Sequence, residues 1–255
     1  MNGKKIAIIL ALLLLIAAIA AVLLHAKNAA EEDESLLDFE NTAQEASGMK
    51  DGWSDGADAG FDAKDVRALS IVWESGSVTL EESEGRELAV KADNADSLRY
   101  QLKDGILYLE NTPDYSKFDS NLSILIPEDI SSLADVRISV TAGDVIVSSE
   151  SIQNLIVVSD SGKISLDAEN ADTVDLSTDS GDILLKIDDD KPFVLNYASA
   201  AGEVSVEADP AFRNESGADS SGNAIYAFYD KSGGANSPLN VIASTASGNI
   251  KIVYD

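Results

Sequence analysis

The chain has 255 residues, 45% of them hydrophobic, enough to bury a core and to exclude wholesale disorder. Its 18 Lys and Arg face 45 Asp and Glu, a formal net charge of -27, which argues against nucleic-acid binding because phosphate contacts need basic side chains. With no cysteine and a single histidine, His25, the chain has no disulfide, thiolate metal centre, cysteine nucleophile or lipid-modified N-terminal cysteine, and no site that needs two histidines.

The first element is apolar. Ile6 to Leu24 has no charged or polar side chain. A helix of that length spans roughly 29 Å at about 1.5 Å per residue, close to the hydrocarbon core of a bilayer. Lys4 and Lys5 precede it and, by the positive-inside rule, stay in the cytoplasm. Residues 1–27 are therefore read as a cytoplasmic tip and transmembrane signal anchor, with the rest of the chain extracytoplasmic. A cleaved signal peptide is the competing reading; its apolar stretch is shorter and ends in a small-x-small site, and no clean one occurs here. His25, at the outer end of the span, reads as an interfacial polar residue.

All 45 acidic residues but only 15 of the 18 basic ones lie beyond residue 27, a net charge of -30 outside the membrane. Such a surface repels anionic lipids and wall polymers, so contact with them needs divalent cations or a local apolar patch. Residues 28–65 read as an acidic disordered linker: Glu31-Glu32-Asp33-Glu34 is followed by Gly48, Gly52, Gly56 and Gly60 among Asp, Ser and Ala.

Residues 66–255 carry a repeat. A glycine stands at 76, 105, 143, 162, 181, 202 and 248, and at +2 and +4 from it all fourteen residues are Ile, Leu or Val. Polar residues dominate at +1 and +3, the alternation of a half-buried strand. The residues at −7 and −5 are mostly Leu, Val, Ile or Tyr, so each unit is strand, tight corner, strand. The corner needs glycine where φ is positive or two backbones approach closely. On that reading a β-branched residue at Gly162 or Gly181 costs on the order of 1–3 kcal/mol.

The glycine spacings of 19, 19 and 21 match single coils, and the longer gaps have room for hidden ones at Leu122–Ile126 and Ile225–Tyr229. The fold class expected is all-β, a parallel β-solenoid (β-helix-like) with an N-terminal transmembrane helix. An antiparallel sandwich also alternates and turns, but supplies no reason for one phase to recur seven times.

The unit that closes in Ser244-Thr245-Ala246-Ser247-Gly248-Asn249-Ile250-Lys251-Ile252 resembles the bacterial β-strand-repeat family of "putative adhesins", the membrane-anchored LiaG-like envelope proteins among them. The resemblance spans about Val66 to Asp255. It implies an extracytoplasmic solenoid of the cell envelope and carries over no catalytic residue.

Residues with chemical potential are few. Asp188-Asp189-Asp190 could supply the acid/base pair of a polysaccharide-acting enzyme on the solenoid flank, the alternative function; the plainer reading is a solvated loop ended by Pro192. Asp144, Asp160, Asp179 and Asp182 lie at or beside corners and could align for Ca²⁺, yet lack the offsets of the calcium-binding nonapeptide repeat. Ser161 and Lys163 form a dyad only if Lys163 is desolvated, and strand phase points it outward. Tyr226, Phe228 and Tyr229 could grip a sugar or a partner, or form the core of a hairpin. The expectation is a membrane-anchored, non-enzymatic binding or scaffold protein of the bacterial envelope. It has no catalytic, cofactor or metal residues, binds an envelope glycan or protein, and attracts divalent cations weakly.

Overall fold

The computed structural model describes residues 52–254 except 57, 95, 112–119, 129–132, 150, 168–169, 189–190, 208–211, 219–223 and 231–237; for residue 200 and for strands 212–218 and 224–230 it describes the backbone alone. The expected membrane anchor, His25 and the first part of the linker lie outside the described residues. No helix among those described is long and apolar enough to cross a membrane.

The alternation of the repeat places one strand of each unit in each of two facing sheets, of 11 and 9 strands. Sheet I takes the strand before each corner: β3 (Ala68–Ser75), β9 (Leu133–Ala142), β11 (Ile152–Ser161), β13 (Thr173–Ser180), β15 (Phe193–Ala201) and β19 (Leu239–Ser247). Sheet II takes the strand after it: β4 (Val78–Ser83), β10 (Val145–Ser148), β12 (Ile164–Asp167), β14 (Ile183–Ile187), β16 (Val204–Glu207) and β20 (Ile250–Tyr254). Within each sheet these six strands pair in parallel. β7 (Ile106–Asn111) and β8 (Leu122–Pro127) add a further layer beyond β3 and β4, also in parallel. The stretch Leu122–Ile126 is thus a layer, as its spacing predicts. The all-β, parallel, repeating architecture is the expected one.

The corners stack into a ladder. The Gly76 N–H donates to Ala142 O, Gly143 to Ser161 O, Gly162 to Ser180 O, Gly181 to Ser247 O and Gly248 to Ala201 O, at 2.9 to 3.1 Å. A Cβ on Gly162 would fall on the Gly143 carbonyl, closer than real Cβ contacts occur, and Gly162 has φ of +133°. Gly181 differs from expectation: its φ is not positive, and glycine is required there because a Cβ would strike the Gly162 carbonyl.

Gly105 is a correction to the repeat. It is the turn of an antiparallel hairpin between β6 (Leu98–Lys103) and β7, with Asp104 at φ 52° and Gly105 at φ 80°. Both positive angles suit a two-residue hairpin turn, which is why Asp-Gly stands there. The corner of that layer is Ser120, whose N–H donates to Ser75 O at 3.2 Å. A hairpin strand alternates just as a coil strand does, so period alone could not separate them.

The order of layers also departs from chain order. In space they run β7/β8, β3/β4, β9/β10, β11/β12, β13/β14, β19/β20, β15/β16. The last unit of the chain slots between two earlier ones. The 46-residue gap before Gly248 holds a hairpin rather than a coil: β17 (Phe212–Ala218) and β18 (Ala224–Asp230) pair antiparallel and extend sheet I beyond β15. At the opposite end, β6 and β5 (Glu87–Ala92) run antiparallel on the outermost layer, and β1 (Ser54–Asp55) and β2 (Asp58–Asp62) flank them. β1 and β2 fall inside the stretch read as linker. They are short edge strands held by few side chains, such as Phe61 edge-on against Tyr100 at 5.6 Å, and leave little periodic signal.

The core is the row of +2 and +4 side chains of sheet II against those of sheet I, nearly all fully buried. Near the corner runs a second row, in register: Trp73, Val140, Ser159, Thr178, Thr245, Ser199. Trp73 is fully buried and its Nε1 donates to Ser120 O at 2.6 Å. The Thr245 hydroxyl reaches Gly181 O at 3.4 Å, whereas the buried hydroxyls of Ser159, Thr178 and Ser199 meet no partner among the described residues. A buried hydroxyl without a partner is destabilising by about 1–3 kcal/mol. Thr178→Val keeps the branched shape and removes it, so it should raise the melting temperature by about 2–4 °C, equivalent to about 1 kcal/mol in a domain of this size. A lowered melting temperature in calorimetry would show that the hydroxyl is satisfied.

Candidate interaction surface

Side chains at +1 form one column along the corner, in the order Asn121, Ser77, Asp144, Lys163, Asp182, Asn249, Glu203. Their oxygens cap the backbone of the next layer. Asn121 Oδ1 accepts from Ser77 N at 2.9 Å, Asp144 Oδ1 from Lys163 N at 2.8 Å, Asp182 Oδ1 from Asn249 N at 2.7 Å and Asn249 Oδ1 from Glu203 N at 3.0 Å. Asp and Asn stand here because a short side chain with an acceptor can bond a neighbouring N–H.

This places the acidic residues singled out by sequence. Asp144 and Asp182 share the column but Lys163 separates them, and both carboxylates hold backbone. Asp160 and Asp179 are exposed on sheet I, just before the corner. Among the described residues no three of His, Cys, Asp or Glu gather to hold a metal ion. Ser161 Oγ donates to Thr141 O at 3.2 Å and Lys163 is exposed, so the two make no dyad. The carbonyl of Asp188 accepts from Lys191 N at 3.1 Å, and Lys191 Nζ donates to Ala171 O at 2.7 Å, which closes that loop against the preceding layer. Asp189 and Asp190 lie outside the described residues. Tyr226, Phe228 and Tyr229 lie in β18, in a hairpin; their side chains are outside the description.

The outer face of sheet I has a feature that the search for reactive residues missed. At −4 from each corner glycine, Val72, Ser139, Val158, Ser177, Ser244 and Ala198 align across six neighbouring strands. No member is charged, in a chain of net charge -27. Val72 is 42% exposed and Val158 39%. Ser244 Oγ donates to Ser177 Oγ at 3.0 Å, which fixes two of the hydroxyls. The column at −6 reads Ser70, Arg137, Ile156, Asp175, Ile242, Asn196, with one charge of each sign among four uncharged positions. Together they make a strip of hydroxyl and aliphatic groups, beyond which the −2 positions read Glu74, Thr141, Asp160, Asp179, Ala246 and Ala200. Its signal was present in sequence at fixed offsets from glycine.

Asp175, half-buried between Ile156 and Ile242, has its carboxyl pushed up by desolvation, with the Arg137 guanidinium opposing in part. A carboxyl whose folded pKa is raised holds its proton more tightly in the native state, so stability falls as pH rises from the unfolded pKa through the folded one and then levels off. Asp175→Asn removes that fall. Urea unfolding from about pH 3 to pH 7 should show the variant gaining on the wild type as pH rises, with the other carboxyls cancelling in the difference. A difference that stays constant with pH would mean that the Arg137 guanidinium offsets the desolvation in full.

Comparison with known proteins agrees with this architecture. The family described as Toastrack DUF4097 matches residues 62–253. A crystal structure of a "putative cell adhesion protein" from Clostridium sporogenes is similar in fold, with a TM-score of 0.60 and 14% identity over 78% of this chain and 98% of that one. A "putative adhesin" from Bacteroides fragilis has 13% identity over 80% of this chain and 98% of that one, with a TM-score of 0.33. A "putative adhesin" from Parabacteroides distasonis has 10% identity with the same coverages and a TM-score of 0.30. These last two superpose loosely. No curated protein matches the chain.

Proposed function

The chain belongs to the Toastrack DUF4097 family, and from that premise we propose that it is a non-enzymatic binding or scaffold protein of the bacterial cell envelope. In this reading residues 1–27 anchor it in the cytoplasmic membrane, N-terminus inside, and the repeat domain faces outward. The observation that carries the binding role is the uncharged −4 column on sheet I. A strip of valine, serine and alanine is where a partner can dock without desolvating charge. The stacked corners keep it rigid, so little conformational entropy is lost on binding. The likeness in fold to a structure named for cell adhesion points the same way.

The test is retention of the full-length chain, in detergent, on isolated envelope material carrying glycan and protein, with and without Ca²⁺. Wild type should bind saturably, and the exposed double variant Val72→Lys/Val158→Lys should bind at least tenfold more weakly while melting at a similar temperature. Equal retention of the two would remove the strip from the reading. Glycan hydrolysis that a triple Asp→Asn change at 188–190 abolishes would replace the binding role by the enzymatic one. Protease applied outside intact cells should digest the repeat domain; protection until the membrane is opened would reject the topology.

A further inference from the structure

The two ends of the stack are finished differently. At the first end both sheets continue into antiparallel strands, β6 and β1 in sheet I and β5 and β2 in sheet II. At the other end sheet I continues into β18 and β17, but among the described residues sheet II stops at β16. Among the described residues β16 has one strand neighbour, β20, paired in parallel. Its inward side chains show what is missing. Val204 and Val206 are half-buried, while the equivalent residues of the inner layers, such as Val145, Ile164, Ile183 and Ile250, are at most 1% exposed.

The backbone of β16 is oriented for one more strand. Ile250 N donates to Glu203 O at 2.9 Å, so Glu203, and Ser205 by the parallel alternation, face β20. The N–H and C=O of Val204 and Val206 then point away from the sheet, two donors and two acceptors in a row. The outward side chains of this edge are Glu203, Ser205 and Glu207, all exposed, with Glu207 Oε1 2.8 Å from Lys251 Nζ. Pairing with a second copy in the register that sets Val204 against Val206 would oppose Glu203 to Glu207, and like charges directly across a sheet are unfavourable.

We propose that the outer edge of β16, which no described strand covers, is a docking site for an extended segment of a partner protein, one alternating aliphatic with basic or hydroxyl side chains, which adds a strand to sheet II. Main-chain hydrogen bonds to Val204 and Val206 hold it, its aliphatic residues close over the two valines, and its basic residues meet Glu203 and Glu207. This inference is independent of the envelope reading.

The probe is a nine-residue peptide alternating valine with lysine and threonine, titrated by calorimetry or fluorescence anisotropy onto the full-length chain in detergent. It should bind saturably, at least tenfold more tightly than the same peptide with glutamate for lysine and than one N-methylated at alternate amides. Val206→Pro fills the open edge without removing a bond to β20, since that N–H points outward, and should weaken binding at least tenfold with little change in melting temperature. Should that variant fail to fold, Glu203→Lys serves instead and should reverse the preference between lysine and glutamate peptides. Absence of binding to wild type, or equal binding by the N-methylated peptide, overturns the proposal. A concentration-dependent dimer that Val206→Pro abolishes overturns it in favour of a second copy as occupant.

Discussion

Gly162→Ala should lower the melting temperature by roughly 6–12 °C, which corresponds to about 3 kcal/mol in a domain of this size. Two effects combine. The backbone at φ +133° is one that residues with a Cβ rarely adopt, and the added methyl meets the carbonyl of Gly143 in the layer below. Carbonyl and glycine are both backbone, so relief requires separating two layers that a hydrogen bond from Gly143 N to Ser161 O, 3.0 Å, holds together. Gly56→Ala is the control: a Cβ there meets nothing closer than 3.9 Å, and its φ is not positive. It should change the melting temperature by less than about 2 °C. Equal shifts for the two variants in a thermal melt would mean that the layers can part freely, which would contradict the ladder.

Trp73→Ala should be at least as damaging, with a loss of about 3–5 kcal/mol by urea denaturation. Trp73 stands at the head of the interior row that continues as Val140, Ser159, Thr178, Thr245 and Ser199. It is the largest fully buried side chain, and its bond to Ser120 O joins β3 to the one corner in the ladder that lacks glycine. Trp73→Phe keeps most of the volume and leaves that carbonyl unpaired, so it should lose about 1–3 kcal/mol. If both variants cost the same, the hydrogen bond rather than the volume is what matters there. The same substitution tests the layer order, because Ser120 reaches Trp73 only if β7/β8 packs on β3/β4.

How much of this was legible depended on the kind of interaction. The +2 and +4 rows of Ile, Leu and Val identified the sheet II strands correctly at 78, 145, 164, 183, 204 and 250, because burial of alternate side chains is a local constraint written in local sequence. Parallel stacking was legible for the same reason: equal phase in every unit requires equal surroundings. At the corners Asp144 and Asp182 were visible as acids, but their role as caps was not, since the N–H that each accepts belongs to a residue 19 or 67 positions away. The strip at −4 was readable at fixed offsets and went unnoticed because it contains nothing reactive.

Sequence alone determined an all-β chain of repeated strand–corner–strand units, the side of each strand that faces the core, and a glycine at each stacked corner but one. Tertiary structure alone decided that Gly105 turns a hairpin while Ser120 takes its place in the ladder, that Ser54–Asp55 and Asp58–Asp62 join the sheets, and that the last unit enters between two earlier layers. The reason lies in the repeat. Units with the same phase and the same corner present nearly the same edge, so local pattern permits any order of stacking. The order is chosen by where chain connections can reach and by which layer carries an antiparallel hairpin at its far side, and both are contacts between residues distant in sequence.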